Sequence, residues 1–242
     1  MQQPHKLSHL TGYRLLAQDG GIGKLRQIYF DDQYWIVRYF VVHTGLWLTG
    51  KDVLIMPSLI SNVDEKSNGL SVELSREKIQ YCPPVDAALP ISRQYEQDFY
   101  HYYGLKPYWN ENPPFGRQPV PSASNADDMK PENSYLHSSE DIKGYHIHAL
   151  DGEIGHVEDI ILEAPEWTIR YLEVGIRNPL FGKKVLISPT WFNSVDWTRE
   201  AVFVDLTKES LESAPAYDPA KVFSRNYQVT LYEHYGKTFD HD

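Results

Sequence analysis

The chain has a single cysteine, Cys82, among its 242 residues. One thiol excludes an internal disulfide, and the spacing rules for zinc or iron–sulfur ligation cannot begin with it. Cys82 precedes Pro83-Pro84 and has no nearby histidine to activate it, so it reads as inert. Long apolar runs are absent too: no stretch approaches the roughly 18 apolar residues of a membrane span, and Met1-Gln2-Gln3-Pro4-His5-Lys6 leads into no apolar signal core. The expectation is a cytoplasmic chain with no membrane span. Basic residues are in short supply, with 23 Lys+Arg against 33 Asp+Glu and a net charge of −10. The deficit is greatest in residues 141–242, which carry 10 basic against 17 acidic side chains. Clustered Lys and Arg are what release counterions from phosphate backbones, so this balance opposes nucleic-acid binding. No nucleophile, base or metal-ligand set recurs in the sequence, and no cofactor is indicated.

What does recur is backbone-defining sequence. The segment from Gly12 to Gly104 returns without a gap at an offset of 132 residues, from Gly144 to Gly236. Asp19-Gly20 returns as Asp151-Gly152, Ile22-Gly23 as Ile154-Gly155, Trp35 as Trp167, Arg38-Tyr39 as Arg170-Tyr171, Pro57 as Pro189, and Ser92-Arg93 as Ser224-Arg225. A period this long exceeds solenoid units of roughly 20–50 residues, so each copy is expected to fold around its own core. The boundaries read as 1–104 for the first copy, 105–140 for a linker rich in Pro, Ser, Asn and Asp, and 141–242 for the second. Proteases are expected to cut first between Pro119 and Ser134.

Within each copy, short strands alternate with turn signals, the pattern of a small all-β barrel. Strands are predicted at Tyr13–Ala17, Ile22–Phe30, Trp35–Val42, Lys51–Met56, Ser61–Val63 and Gly69–Leu74. Gly23 and Gly155, just inside a strand, predict a bulge or a close backbone approach. Ser75 and Thr207 read as helix N-caps. The aromatic segments Ser92–Tyr103 and Ser224–Tyr235 read as helices closed by Gly104 and Gly236. Tyr95, Phe99, Tyr102 and Tyr103 share one helical face, which either seals its own barrel or meets a partner.

The candidate binding residues are apolar. Leu46, Trp47 and Leu48 in the first copy, and Leu180 and Phe181 in the second, stand where a polar turn would suffice, so they are expected to cover something, either one barrel packing on the other or a partner or homodimer surface. With Tyr95, Phe99 and Tyr102 they form the expected contact set for a partner protein or a second copy of the chain. Arg38 and Arg170 share strand parity with inward residues and need acids, for which Glu73 and Asp205 are the expected partners in structural pairs, with an anion site as the alternative. His146, His148 and His156 form the most metal-like cluster, but alternation around Ile147 turns them to solvent, which favours a polar face over a metal site. Asp31-Asp32 reads as turn chemistry, and Glu158-Asp159 point to opposite strand faces, so neither forms an acid–base pair.

Gly12, Asp19-Gly20, Ile22-Gly23, Trp35, Val37-Arg38-Tyr39 and Lys51–Pro57, with the closer set Asp151 to Ile160, Trp167 to Leu172 and Lys183–Pro189, resemble the pattern of the PRC-barrel family. The resemblance covers both copies. It implies a mainly β fold of two small PRC-type barrels related by duplication, each with a short C-terminal helix. Members of that family act as adaptors, in the cytoplasmic domain of the photosynthetic reaction centre H subunit and in a ribosome-maturation factor. What the resemblance implies is therefore a non-enzymatic binding or scaffold protein. Reaction-centre-like and ribosome- or RNA-associated roles are alternatives, and a hydrolase or metal-dependent enzyme with a site between the barrels is the rival class.

Overall fold

The computed structural model describes residues 3–85, 91–110, 119–121, 136–176, 182–222 and 224–238. In chain order the elements are β1 (Gln3–Lys6), α1 (Leu7–Leu10), β2 (Arg14–Ala17), β3 (Gly20–Asp31), β4 (Val37–His43), β5 (Asp52–Ile55), β6 (Ile60–Asp64), β7 (Gly69–Val72), α2 (Arg76–Gln80) and α3 (Arg93–Tyr103). They continue with β8 (Leu136–Ser138), α4 (Ser139–Ile142), β9 (His146–Ala149), β10 (Gly152–Ala164), β11 (Thr168–Ile176), β12 (Lys183–Ile187), β13 (Phe192–Asp196), β14 (Ala201–Val204), α5 (Lys208–Ser213) and α6 (Arg225–His234). No helix among the described residues is long and apolar enough to cross a membrane.

The protein is mainly β, in two seven-stranded sheets of one strand order. One runs β5-β4-β3-β2-β7-β6 with β8 on β3, and the other β12-β11-β10-β9-β14-β13 with β1 on β10. Pairings are antiparallel except β2 with β7 and β9 with β14. All six strands expected in the first copy form within two or three residues of the expected ends. Gly23 and Gly155 show why duplicated glycines persist inside strands. A Cβ on Gly23 would lie 2.1 Å from the His43 carbonyl oxygen, and one on Gly155 would lie 2.2 Å from that of Gly175, so any side chain would drive β3 from β4 and β10 from β11. The repeated tryptophans are matched in backbone as well: Trp35 and Trp167 both hold positive φ, 58° and 55°, and both are buried. Such a conformation costs about 1–3 kcal/mol in a bulky residue. Burial of the indole, at about 25 cal/mol per Å² of apolar surface, offsets it.

The helices start where their caps say. Ser75, Ser92, Thr207 and Ser224 each accept a hydrogen bond from the main-chain N–H three residues on, and Gly104 ends α3 at φ 68°. α3 presses Phe99 into the first core, edge-on to Tyr39 with centroids 5.5 Å apart. In the second copy Leu231 takes that buried place, and Trp191 meets Tyr232 and Tyr235 at 5.0 Å each.

The compact units are cut differently from the copies. One unit comprises Met1–Leu7, Val120–Ser124 and Asp141–Asp242, and the other Ser8–Pro119 and Asn125–Glu140. The residues just before each copy belong to the other unit: β1 pairs with Ile161–Ala164 of β10, and β8 pairs with Tyr29–Asp31 of β3. These leader strands went unforeseen. Apart from residues 119–121, the stretch where first cuts are expected lies outside the described residues.

Removing residues 1–6 should therefore weaken the unit that contains residues 141–242. Hydrogen exchange on the shortened chain should show lost protection at residues 161–164 while residues 14–30 keep theirs. Loss confined to the first copy would refute the exchange of leaders.

Candidate functional site

The loop after β4 is built to present one apolar side chain. Thr44 is buried and joins its N–H and hydroxyl to the Lys51 carbonyl at 3.0 and 2.7 Å, closing the base of the loop. Gly45–Leu48 forms a 3₁₀ turn that ends on Thr49 at φ 55°. Trp47 is braced: its Nε1–H donates to the Gly21 carbonyl at 3.2 Å, and the Arg76 guanidinium sits 4.5 Å from its ring centroid. Leu48 is half-buried, whereas Leu46 is fully exposed at the tip. Among the described members of the expected apolar loop set, Leu46 is exposed while Trp47 and Leu48 are half-buried. Leu180 and Phe181 lie outside the described residues.

The aromatic helix corrects the expectation for Phe99, which is wholly buried and unavailable to a partner. Tyr95 and Tyr102 are half-buried, and their hydroxyls donate to the carbonyls of Pro83 and Lys78 at 3.0 and 2.8 Å. The stripe seals its own unit. Cys82 lies nearby, and burial pushes its thiol up, away from reactivity.

The arginine pairs also require correction. Arg38 does not pair with Glu73, which is exposed; its Nε donates to the Asp31 carboxylate at 2.8 Å. Asp31 closes the β3–β4 hairpin by accepting from the Tyr34 N–H at 2.6 Å, which brings it beside β4. Hairpin geometry thus prevails over strand parity. Asp205 pairs with Lys237 at 3.6 Å, not with Arg170. The counterpart of Asp31 at the repeat offset is Glu163, whose charge acts on Arg170. The hairpin spacing of seven residues, Asp31 to Arg38 and Glu163 to Arg170, was the signal available in the sequence.

Two buried charge sites were missed altogether. Glu96, on α3, is fully buried; it accepts from the hydroxyls of Tyr39 and Tyr108 at 3.0 Å each and pairs with Arg93 at 2.9 Å. Burial raises its carboxyl above the ordinary value, against the pull of Arg93. Tyr108 in turn lies 3.9 Å below the Arg38 guanidinium, and Trp109 lies 4.1 Å from that of Arg93. In the other unit Glu173 is fully buried between Lys6 and Lys184, each at 2.7 Å, and Lys6 also reaches Asp159 at 3.5 Å. Lys184 bonds Glu158 as well.

The histidines are separately engaged. His146 and His156 face each other across β9 and β10, but His146 bonds Glu153 at 2.9 Å, His148 stacks on Phe203, and His156 lies 4.0 Å from Glu158. Among the described residues no group of three or more His, Cys, Asp or Glu side chains is placed to hold a metal ion.

Residues 137–211 match the PRC-barrel domain. The second copy contains a PRC-barrel domain. Its matched stretch runs from β8 to α5 and takes in the whole β9 to β14 sequence. No curated protein matches the chain.

Because Glu96 titrates above its unfolded value, the stability linked to it is fully present below about pH 4.3 and is lost as pH rises through its folded pKa. Glu96→Gln should therefore gain stability relative to the parent as pH increases through that window. Denaturant unfolding at several pH values checks this, and parallel curves for the two proteins would exclude it. Lys6→Met should destabilise its unit by about 2–3 kcal/mol, since a buried acid network loses a cation, whereas Arg26→Met, which breaks an exposed pair with Asp52, should cost under about 1 kcal/mol.

Proposed function

We propose that the chain is a tandem PRC-barrel protein, non-enzymatic, that holds a partner protein through the loop at Gly45–Leu48. The presentation of Leu46 carries this reading: a fully exposed leucine stands on a turn whose base is hydrogen-bonded and whose tryptophan is clamped. A leucine held rigidly in water forgoes the roughly 2 kcal/mol that burial would return, and a pre-formed loop loses little entropy when it docks. The shared strand order of the two sheets and their shared residues at the 132 offset support a PRC barrel in the first copy as well. The buried acids favour scaffold over enzyme, since Asp31, Glu96 and Glu173 are each held by internal cations that brace the fold.

The expected occupant of Leu46 is an apolar pocket on a different protein. Leu46→Asp should leave the unfolding transition within about 0.5 kcal/mol of the parent, because the side chain has no neighbours to lose. The same change should weaken partner binding by about 2 kcal/mol, roughly 30-fold. Affinity purification followed by titration with the recovered partner measures both. A partner bound equally by the Asp variant would reject the loop as the contact, and a self-association lost in that variant would replace the foreign partner with a second copy.

A further inference from the structure

Equivalent strands, β6 and β13, end the two sheets, and the two edges differ in what lies beside them. Both hold their inner neighbour in one register: Ile60 faces Val72 and Val63 faces Leu70, as Phe192 faces Val204 and Val195 faces Val202. The register shift falls at the same place in each. On β13 the outward Val195 N–H donates to the Pro121 carbonyl at 3.2 Å. Val120–Ser124 belongs to the same compact unit as residues 141–242, so that unit borders its edge with a piece of the linker, Pro119-Val120-Pro121.

Val63 is the counterpart of Val195 at the repeat offset, and the equal register turns its N–H away from β7 in the same way. Among the described residues it meets no acceptor there. Burial differs in the same sense. Val195 and Phe192 are 2 % and 7 % exposed, whereas Val63 and Ile60 are only half-buried and Ser61 and Asn62 between them are exposed. β6, Ile60-Ser61-Asn62-Val63-Asp64, carries no proline or lysine to turn a neighbouring chain away. The segment on β13 shows what chemistry this edge takes. Pro119 and Pro121 have no N–H, so the segment accepts from an edge without offering a ladder to a further strand. The fixed φ of proline also keeps such a segment extended, so little entropy is lost when it docks.

We propose that the β6 edge of the first copy is a docking site for an extended, proline-flanked segment of a partner protein. That segment gives a carbonyl to the Val63 N–H, as Pro121 gives one to Val195, and covers the half-buried Ile60 and Val63. The edge is separate from the Gly45–Leu48 loop, and the proposal does not depend on that loop's function.

The probe is the capped peptide acetyl-Gly-Pro-Val-Pro-Gly-amide, which copies residues 119–121. It would be titrated into the full chain while the amide resonances and hydrogen exchange of Val63 and Val195 are followed. Without peptide the Val63 amide should exchange faster than that of Val195. With peptide the Val63 resonance should shift saturably and its exchange should slow, while Val195, already bonded, stays unchanged. Val63→Pro removes the donor on the outward side, where an edge strand tolerates proline, and should weaken half-saturation at the neighbouring β6 resonances by about fivefold, the loss of one hydrogen bond. Acetyl-Gly-Ala-Val-Ala-Gly-amide should bind the unsubstituted chain more weakly than the proline peptide. Should Val63→Pro fail to fold, the readings at Val63 and the comparison of the two peptides still decide the question. No response at Val63, equal protection of the two amides without peptide, a response undiminished by Val63→Pro, or equal binding of the alanine peptide would overturn the proposal. Val63 protection that grows with protein concentration instead of with peptide would overturn it in favour of a second copy of the chain.

Discussion

The far ends of the two long strands, β3 and β10, set the central constraint on this chain. β2 pairs with β3 only as far as Lys24, and β9 pairs with β10 only as far as His156, yet both long strands continue, to Asp31 and Ala164. On the other edge they are held by β4 and β11 over most of their length. The exposed stretch of edge would leave a row of main-chain donors and acceptors unpaired against a buried interior, which is costly and invites association. Among the described residues, neither copy supplies a strand of its own for that place. Four residues at the start of the chain and three at the end of the linker meet the need, each in the unit built by the other copy. Duplication and mutual completion are thus one arrangement.

The leaders bring chemistry with them. Lys6 ends β1 against Glu173 and Asp159, two acids that the interior of the second unit could not otherwise hold so cheaply. Ser138 ends β8 and donates its hydroxyl to Gln27, the first copy's counterpart of Asp159. Where the second unit has Glu173 the first has Val41, fully buried. One slot is therefore ionic and the other neutral, and the residue that closes each leader matches its slot.

The sequence made the strands, turns, caps and aromatic helices legible because those depend on local signals: Asp-Gly turns, Ser and Thr caps, and the 132-residue recurrence itself. It left the leaders hidden. Gln3-Pro4-His5-Lys6 contains a proline and no alternation, and Leu136-His137-Ser138 sits in linker-like composition, so only the open edges that receive them define them as strands. The arginine partners were misassigned for a related reason. Parity says which face a side chain takes, but the β3–β4 hairpin decides which acid reaches it, and Asp31 was read only as turn chemistry. The helical stripe of α3 was correctly placed, yet periodicity alone cannot say whether a face turns to its own core or outward. Phe99 against Tyr39 is a tertiary fact. Of the apolar loop, its exposed tip was legible, since nothing in Leu46 serves a turn.

The copies diverged in charge while keeping contacts, which shows what selection of a structure permits. Arg26 reaches Asp52 over His43 in one sheet, and Glu158 reaches Lys184 over Gly175 in the other, so the equivalent pair has opposite polarity. An exposed or half-exposed pair contributes little and tolerates reversal. A buried one does not reverse so freely, because every group around it must change together. If Lys6 entered the neutral slot it would meet Gln27 and Val41 with no anion, and if Ser138 entered the ionic slot Glu173 would keep Lys184 alone. Either error strands a charge in a low-dielectric site at a cost of several kcal/mol, enough to fix which leader completes which unit.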